Sequence, residues 1–304
     1  MNRRFFIRNT AIGTAGILTG AFPYTTIAAD ELTVITILHT NDLHSHIEPF
    51  DDSNPNYAGK GGFARISSVI RNIKNQNPDT LVFDAGDSFQ GTPYFNYYGG
   101  ELIYRLMSIA GYDAVTIGNH EFDNGLEGLK ESLVSAKFPV ISSNYDFSDT
   151  ILKGRFPRWK IFRKAGIRVG VYGLGIELNG LVSPVQQGNT VYRDPVKIAI
   201  EMEHFLKNEK SCDLVICISH LGLRYRENRI SDVALAEETS FTDLIIGGHT
   251  HSFLEKPLVL KNKKGQPVLV NQAWWGGMAM GQIDFIFERK GKKKYKTLAN
   301  NLLP

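Results

Sequence analysis

Short apolar runs alternate along the chain with segments in which apolar residues recur at helical spacing. Five runs have the length and residue types of buried strands: residues 32–38, 81–83, 114–117, 214–218 and 244–246. Helical spacing marks three segments that lie between or just after the first three runs: residues 63–73, 101–109 and 126–136. This alternation predicts an α/β protein in which helices cover a sheet.

The remaining patterns are less regular. Residues 159–161 and 167–171 predict a pair of strands, with Asp194 and Pro195 further on as the N-cap and first residue of another helix. Residues 267–270 and 282–287 predict antiparallel strands, and the lysine-rich residues 290–296 predict a solvated tail. Neither an internal repeat nor an interdomain linker is evident, so one domain is expected over residues 30–304.

Residues 1–29 have the layout of an export signal. A basic head with Arg3, Arg4 and Arg8 precedes an uncharged, mildly apolar stretch that ends in the small residues Ala28 and Ala29. The paired arginines resemble the twin-arginine type of signal, so a periplasmic or secreted location is expected. An uncleaved N-terminal anchor is the alternative, although the stretch is short for a transmembrane helix.

The balance of charged residues does not indicate a particular class of partner. The formal charge of +3 comes from the three leader arginines, and the rest of the chain has 31 basic and 31 acidic residues. That balance gives no reason to expect nucleic acid or an acidic membrane as a partner.

Cys212 and Cys217 flank an apolar run and are expected on one strand, roughly 16 Å apart. A disulfide needs Cα atoms within about 7 Å, so both are predicted to be buried thiols.

Titratable and amide side chains follow each of the five predicted strands. In chain order they are Asp42 and His44; Asp87; Asn119, His120 and Asp123; His220; and His249 and His251. The carboxyl ends of strands in an open α/β sheet border the crevice in which ligands bind. Two of these sets are spaced i, i+2, which points both side chains the same way if the backbone there is extended. The five strand ends therefore predict one common site.

Seven of these side chains have the chemistry of metal ligands: Asp42, His44, Asp87, Asn119, His220, His249 and His251. Seven ligands exceed the needs of one tetrahedral ion and suit two divalent ions about 3.5–4 Å apart that share a carboxylate. Oxygen and imidazole ligands without a thiolate favour Mn, Zn or Fe, with Mg or Ca as alternatives. For a single histidine, a buried hydrogen-bonded ring is the simpler interpretation, and we prefer it for His39, His46 and His204.

The same residues carry a resemblance to a known family. The chain resembles the calcineurin-like metallophosphoesterases in an ordered set of motifs: Asp42-x-His44, Gly86-Asp87, Gly118-Asn119-His120-Glu121, His220 and Gly248-His249-x-His251. Three longer stretches are similar to the 5'-nucleotidase branch of that family: residues 40–44, 84–91 and 118–125. The resemblance runs from about residue 32 to residue 287.

The resemblance implies a four-layer α-β-β-α sandwich of the metallophosphatase type. It also implies that Asp42, His44 and His251 hold one ion, that Asn119, His220 and His249 hold the other, and that Asp87 bridges them. His120 would be the catalytic histidine, oriented by Asp123, and Asn119 and His120 would contact the substrate phosphate. The implied activity is phosphoester hydrolysis by metal-activated hydroxide, with 5'-nucleotides as the expected substrates.

Two departures from the 5'-nucleotidase branch leave alternatives open. Members of that branch often have Gln or Asn where this chain has His251, and they usually continue into a C-terminal nucleoside-binding domain that would begin near Pro304. The chain is therefore expected to hold the catalytic domain alone, and it is alternatively a catalytic subunit that needs a separately encoded substrate-binding domain. Further alternatives are a cyclic-nucleotide phosphodiesterase, a nucleotide-sugar pyrophosphatase and a thiosulfohydrolase. Trp274 and Trp275 are interpreted as packing residues, with a docking or base-stacking surface as the second interpretation.

Overall fold

The computed structural model describes residues 32–227 and 229–288, together with the backbone of residues 295–302. The leader at residues 1–29 and most of the lysine-rich segment, residues 290–294, lie outside the described part. Strands are formed by β1 Leu32–Thr40, β2 Thr80–Asp84, β3 Ala114–Thr116, β4 Val140–Ile141, β5 Tyr145–Asp146, β6 Trp159–Lys164, β7 Ile167–Leu174, β8 Val191–Tyr192, β9 Leu214–Ser219, β10 Leu244–Ile246, β11 Leu258–Lys261, β12 Pro267–Asn271, β13 Met280–Glu288 and β14 Tyr295–Leu302.

Seven α-helices connect or cover these strands within the described residues. They are α1 Phe63–Gln76, α2 Pro93–Tyr98, α3 Glu101–Ala110, α4 Gly125–Ser132, α5 Pro184–Gln187, α6 Pro195–His204 and α7 Asp232–Glu238. Two 3₁₀ turns, His120–Phe122 and Leu133–Ser135, follow β3 and α4, and a π-helical turn, Phe205–Glu209, extends α6. Among the described residues, no helix combines the length and the apolar character that crossing a bilayer requires.

The strands form two six-stranded sheets and a small two-stranded one. The first sheet has the order β14-β13-β1-β2-β3-β4, and the second has the order β11-β12-β10-β9-β7-β6. Strands β1 to β4 run parallel, as do β7, β9, β10 and β12. The parallel strands of each sheet therefore end at the same edge, and their C-terminal loops can meet there.

Three apolar clusters separate four layers. Ile37 and Phe83 of the first sheet meet Ile216 of the second in the cluster between the sheets. Leu38 and other outward-facing residues of the first sheet pack on α1, α3 and α4, and Val215 and others of the second pack on α6 and α7. Both faces of the central strands are buried, which explains why they appear in the sequence as continuous apolar runs. The predicted four-layer α-β-β-α sandwich is confirmed.

Local predictions differ from the structure in four places. Helix α2 was not predicted, because a six-residue helix is too short to show an apolar stripe. Strand β12 pairs antiparallel with β11 but parallel with β10, so the antiparallel prediction for residues 267–270 holds on one side only. Cys212 precedes β9 and does not share a strand with Cys217, although both thiols are buried and free as predicted. The lysine-rich stretch leads into β14 at Tyr295.

Candidate metal centre

The loops after β1, β2, β3, β9 and β10 converge at one edge of the sandwich. They bring together two groups of candidate metal ligands, one with Asp42, His44 and His251 and the other with Asp87, His220 and His249. Within each group, the ligand atoms lie within 4.8 Å of one another. The His249 backbone N–H donates to both carboxylate oxygens of Asp42 at 3.0 Å, which joins the two groups. The structure thus brings the five predicted strand ends to one place.

The first group places three side chains around a common point. His251 Nε2 lies 3.3 Å from Asp42 Oδ1 and 3.0 Å from His44 Nε2. Asp42 and His44 are buried, whereas His251 is 38% exposed and borders the open side. Asn41 fixes Asp42 from behind, because its amide donates to Asp42 Oδ2 at 2.6 Å.

The second group surrounds Asp87. His220 Nε2 lies 2.9 Å from Asp87 Oδ2, and the His120 backbone N–H donates to Asp87 Oδ1 at 2.8 Å. Asn119 joins this group through its Oδ1 atom, which lies 3.0 Å from His249 Nδ1. All seven predicted ligands are therefore found at the centre, and Asp87 is in contact with elements from both sheets.

The backbone of the ligand residues departs from the extended conformation that their spacing suggested. Asp42, His44, Asp87, His249 and His251 all have positive φ, between 48° and 69°. The residues spaced i, i+2 do lie close together, as predicted. They do so on loops with left-handed turns beyond the strand ends, and not on extended chain. Non-glycine residues with such φ values store strain that the surrounding structure must sustain, and they are frequent at functional sites.

Glycines next to the ligands allow the loops to pack this closely. A Cβ atom at Gly118 would overlap Asp87 Oδ1 and lie 2.7 Å from His220 Nε2. One at Gly248 would lie 2.9 Å from His220 Nδ1 and 3.1 Å from Asp42 Oδ2. These positions require glycine because of close approach between loops, which explains why the motif contains it.

The donor set fits cations. His220 Nδ1 lies 2.6 Å from the Ala85 carbonyl and donates to it, so the other ring nitrogen, Nε2, points into the centre. That Nε2 atom is buried and has no hydrogen-bond partner, although Asp87 Oδ2 lies close by. In the first group, the Nε2 atoms of two imidazoles face each other at 3.0 Å, an arrangement that a bound cation stabilises. A carbonyl that fixes the far nitrogen of a ligating histidine is the usual support for a metal site.

Electrostatics supports the same interpretation. Burial lowers the pKa of His220, but the negative charge of Asp87 outweighs burial and raises the pKa to about 10. The protein alone would therefore hold a proton at the position that a cation suits. Burial and the charge of His220 lower the pKa of His249 to about 4, so its imidazole is neutral and available as a ligand.

His120 and Asp123 form a pair beside the two groups. His120 Nδ1 lies 2.7 Å from Asp123 Oδ2, and the ring of His120 is 5.2 Å from that of His44. Burial lowers the pKa of His120, but the hydrogen bond with Asp123 and the charge of Asp87 raise it to about 9. His120 is therefore an imidazolium at neutral pH, with Nε2 free of the Asp123 contact. An imidazolium held in this way can stabilise negative charge or donate a proton.

Glu121 is a structural residue of the centre that the sequence analysis left without a role. Its side chain is 1% exposed and accepts hydrogen bonds from the backbone N–H groups of Asp87, Ser88 and Gly118, at 3.0, 2.8 and 2.6 Å. One carboxylate thus ties the loop after β2 to the loop after β3. Its neighbours in the sequence are mostly polar, so no local pattern indicated this role.

A cavity of about 1290 Å³ opens from the ligands towards solvent. Trp275 lines it and stacks on His251, with ring centroids 5.3 Å apart and planes at 12°. The interpretation of Trp275 as a packing residue alone is therefore wrong. His46 also borders this cavity without belonging to either ligand group, whereas His39 is buried beside Asn271 and His204 lies on the surface of α6.

Comparison with known proteins agrees with this architecture. The family model described as calcineurin-like phosphoesterase matches residues 35–253. The 5'-nucleotidase of Rattus norvegicus is 31% identical over 278 residues, which cover 84% of this chain and 47% of the rat protein. The chain thus spans about half the length of the curated relatives it matches.

Two solved structures have a fold similar to that of this chain. The 5'-nucleotidase precursor from Thermus thermophilus has a TM-score of 0.78 at 33% identity, covering 89% of this chain and 54% of that one. The NAD nucleotidase of Haemophilus influenzae has a TM-score of 0.76 at 27% identity, covering 90% of this chain and 51% of that one. The resemblance inferred from the motifs is confirmed by both comparisons.

Proposed function

The chain belongs to the calcineurin-like phosphoesterase family, and we propose that it is a dinuclear-metal phosphohydrolase that acts on phosphomonoesters such as 5'-nucleotides. The observation that carries this proposal is the convergence of two carboxylate–imidazole groups beside the hydrogen-bonded pair His120 and Asp123, where a cavity opens to solvent. The relatives named 5'-nucleotidase support the choice of nucleotides as substrates.

The proposed ligand sets follow the two observed groups. Asp42, His44 and His251 would hold one ion, Asn119, His220 and His249 would hold the other, and Asp87 would be a ligand shared by both. The unpartnered Nε2 of His220 supports the second set. We propose Mn, Zn or Fe as the ions, since the ligands are oxygen and imidazole atoms without a thiolate, and Mg or Ca as weaker candidates.

When bound, a pair of divalent cations lowers the pKa of water towards neutrality and offsets the charge of phosphoryl oxygens. The side chains around them bind and orient the substrate. Asn119 and His120 lie where they can contact the phosphate, and the His120 imidazolium balances its charge and can protonate the leaving oxygen. Asp123 acts through His120, because it holds Nδ1 and leaves Nε2 to face the substrate.

The test combines metal analysis with phosphate release. The purified chain is loaded separately with each metal and assayed for phosphate from AMP, for nucleoside monophosphate from a cyclic nucleotide or a nucleotide sugar, and for sulfate from a thiosulfate conjugate, with and without a substrate-binding domain from a relative. We expect about two metal ions per chain and the fastest phosphate release from AMP. A loaded protein that releases no phosphate from any monoester would refute the proposal. Activity that appears only with the added domain would identify a catalytic subunit.

We also propose that residues 1–29 direct export through the twin-arginine route to the periplasm or beyond. The paired Arg3 and Arg4 ahead of an uncharged stretch support this proposal. Replacing both by lysine should retain the protein in the cytoplasm, as measured by fractionation of the host cells. Unchanged export of that variant would rule out the twin-arginine route.

A further inference from the structure

The cavity beside the metal centre is far larger than a phosphate group, and aromatic residues from two separate elements line it. One is Trp275, which is backed by Phe50 at a ring distance of 5.0 Å. The other element is helix α2, which contributes Tyr94, Tyr97 and Tyr98. These three tyrosines are spaced i, i+3 and i+4, so they share one face of the helix. Ligand residues such as His44 and His251 line the same cavity.

Helix α2 is fixed to the loop that carries the first ligands. Thr92 Oγ1 donates to the Ser45 carbonyl at 2.8 Å, and Tyr94 Oη donates to Glu48 Oε1 at 2.9 Å. Beneath the helix, Phe95 is buried against Phe89. These contacts fix the helix backbone that carries Tyr97 and Tyr98 relative to the loop with the first ligands.

Two of these tyrosines leave most of their surface free. Tyr97 is 83% exposed and Tyr98 is 59% exposed, on a helix whose inner face is well packed. An exposed aromatic side chain that lines a cavity can stack on another planar ring, and it has only two side-chain torsions to order when it does so. The exposed faces therefore mark a surface for an aromatic group rather than a packing defect.

The charge of the cavity limits what can bind there. Of the described residues that line it, none is Lys or Arg, while Glu48 and Asp51 add carboxylates away from the ligand groups. A leaving group with further phosphates would bring negative charge next to these carboxylates, where the described lining has no Lys or Arg to balance it. An uncharged leaving group meets no such repulsion.

We propose that Tyr97 and Trp275 line a leaving-group subsite for an uncharged planar ring, so that the chain itself selects monophosphates of aromatic alcohols or nucleosides over di- and triphosphates. This inference rests on the proposed function, since the phosphoryl group must lie at the metal centre for its leaving group to reach the subsite. It differs from the expectation that base recognition requires a separate domain.

The first test compares substrates on the metal-loaded full chain. Replacing Tyr97→Ala should lower kcat/KM for phenyl phosphate and AMP about tenfold, the size of one lost stacking contact, and leave ethyl phosphate unchanged. Tyr97→Phe should restore the wild-type values, because it keeps the ring. Ile109→Ala is the matched control: Ile109 is 74% exposed and does not line the cavity, so all three substrates should be unaffected.

A second variant tests whether the carboxylates of the cavity discriminate against substrates with additional phosphates. ADP should be a much poorer substrate than AMP for release of its terminal phosphate. Glu48→Gln keeps an acceptor for Tyr94 and removes one negative charge, so it should raise kcat/KM for ADP relative to AMP by several-fold. An unchanged ratio would overturn the assignment of charge selection to Glu48.

A binding measurement separates this inference from the proposed reaction. Adenosine carries no phosphate, so its binding to the metal-free chain, followed by tryptophan fluorescence or calorimetry, reports on the subsite alone. We expect about tenfold weaker binding in Tyr97→Ala and none of that loss in Tyr97→Phe. Equal adenosine binding in all variants, or equal kinetic losses for ethyl and phenyl phosphate, would overturn the inference. Absence of phosphate release from every substrate would instead refute the proposed function. The effect of Tyr97→Ala on adenosine binding would then show by itself whether the subsite exists.

Discussion

Replacing Glu121 by Gln tests whether one buried carboxylate holds the two central ligand loops together. Its Oε2 atom accepts the N–H groups of Asp87 and Gly118, and its Oε1 atom accepts that of Ser88. A glutamine has one acceptor oxygen, so its NH₂ group must face at least one of these donors. Even in the better orientation, a buried N–H loses its acceptor and meets another donor.

The expected loss of stability follows from the number of buried N–H groups that lose their acceptor. A buried donor without a partner costs about 1–3 kcal/mol, and hydrogen bonds to a charged acceptor are worth more than neutral ones. We therefore expect Glu121→Gln to lower the free energy of unfolding by about 2–4 kcal/mol and Tm by about 5–15 °C. Burial and the charge of Asp87 raise the pKa of Glu121 to about 7, so the comparison is made at pH 8, where the carboxylate prevails.

Glu203→Gln is the matched control for this experiment. Glu203 is also fully buried, and it accepts three backbone N–H groups and the Thr242 hydroxyl on the far side of the second sheet. Thermal unfolding of the metal-free proteins should show comparable losses for both variants. Metal titration and kcat at 25 °C should be impaired in Glu121→Gln alone, because only Glu121 positions Asp87. Equal metal affinity and kcat in the two variants would refute the reasoning.

Three further substitutions address the centre directly. His120→Asn should retain both ions by elemental analysis and lose about 10²–10⁴-fold in kcat, and normal turnover would contradict its role as the acid. Asp87→Ala should bind fewer than one ion per chain, because both sets lose the shared carboxylate; two bound ions would disprove bridging. Gly118→Ala places a methyl group against Asp87 and His220, so it should reduce metal content, and wild-type content would show that the loops can separate.

The positions of the five central strands along the chain, and the ligand residues that follow them, could be predicted from the sequence for a physical reason. Strands buried on both faces appear as continuous apolar runs, and polar residues directly after them are conspicuous. Asp42, Asp87 and His220 were all found by this signal, and the structure places them together. The four layers came from the resemblance, since pattern alone predicts one covered sheet and gives no count of sheets.

Other features depend on tertiary contacts and left no local signal. The positive φ of His249 and its neighbours arises from loops packed against each other, so the spacing rule for extended chain could not reveal it. The role of Glu121 requires three N–H groups from two distant loops. Helix α2 begins at Pro93 and is tied down by Tyr94 and Phe95, contacts that a six-residue pattern cannot specify.

Each ligand group draws side chains from both sheets: Asp42 and His44 from the first with His251 from the second, and Asp87 with His220 and His249. Bound ions would therefore fasten the two halves of the sandwich across their seam. A slight shear between the sheets, such as repacking around Phe83 or Ile216 would cause, would separate the members of each ligand group while every strand stays intact. The affinity for metal ions would then report how well the two sheets are aligned.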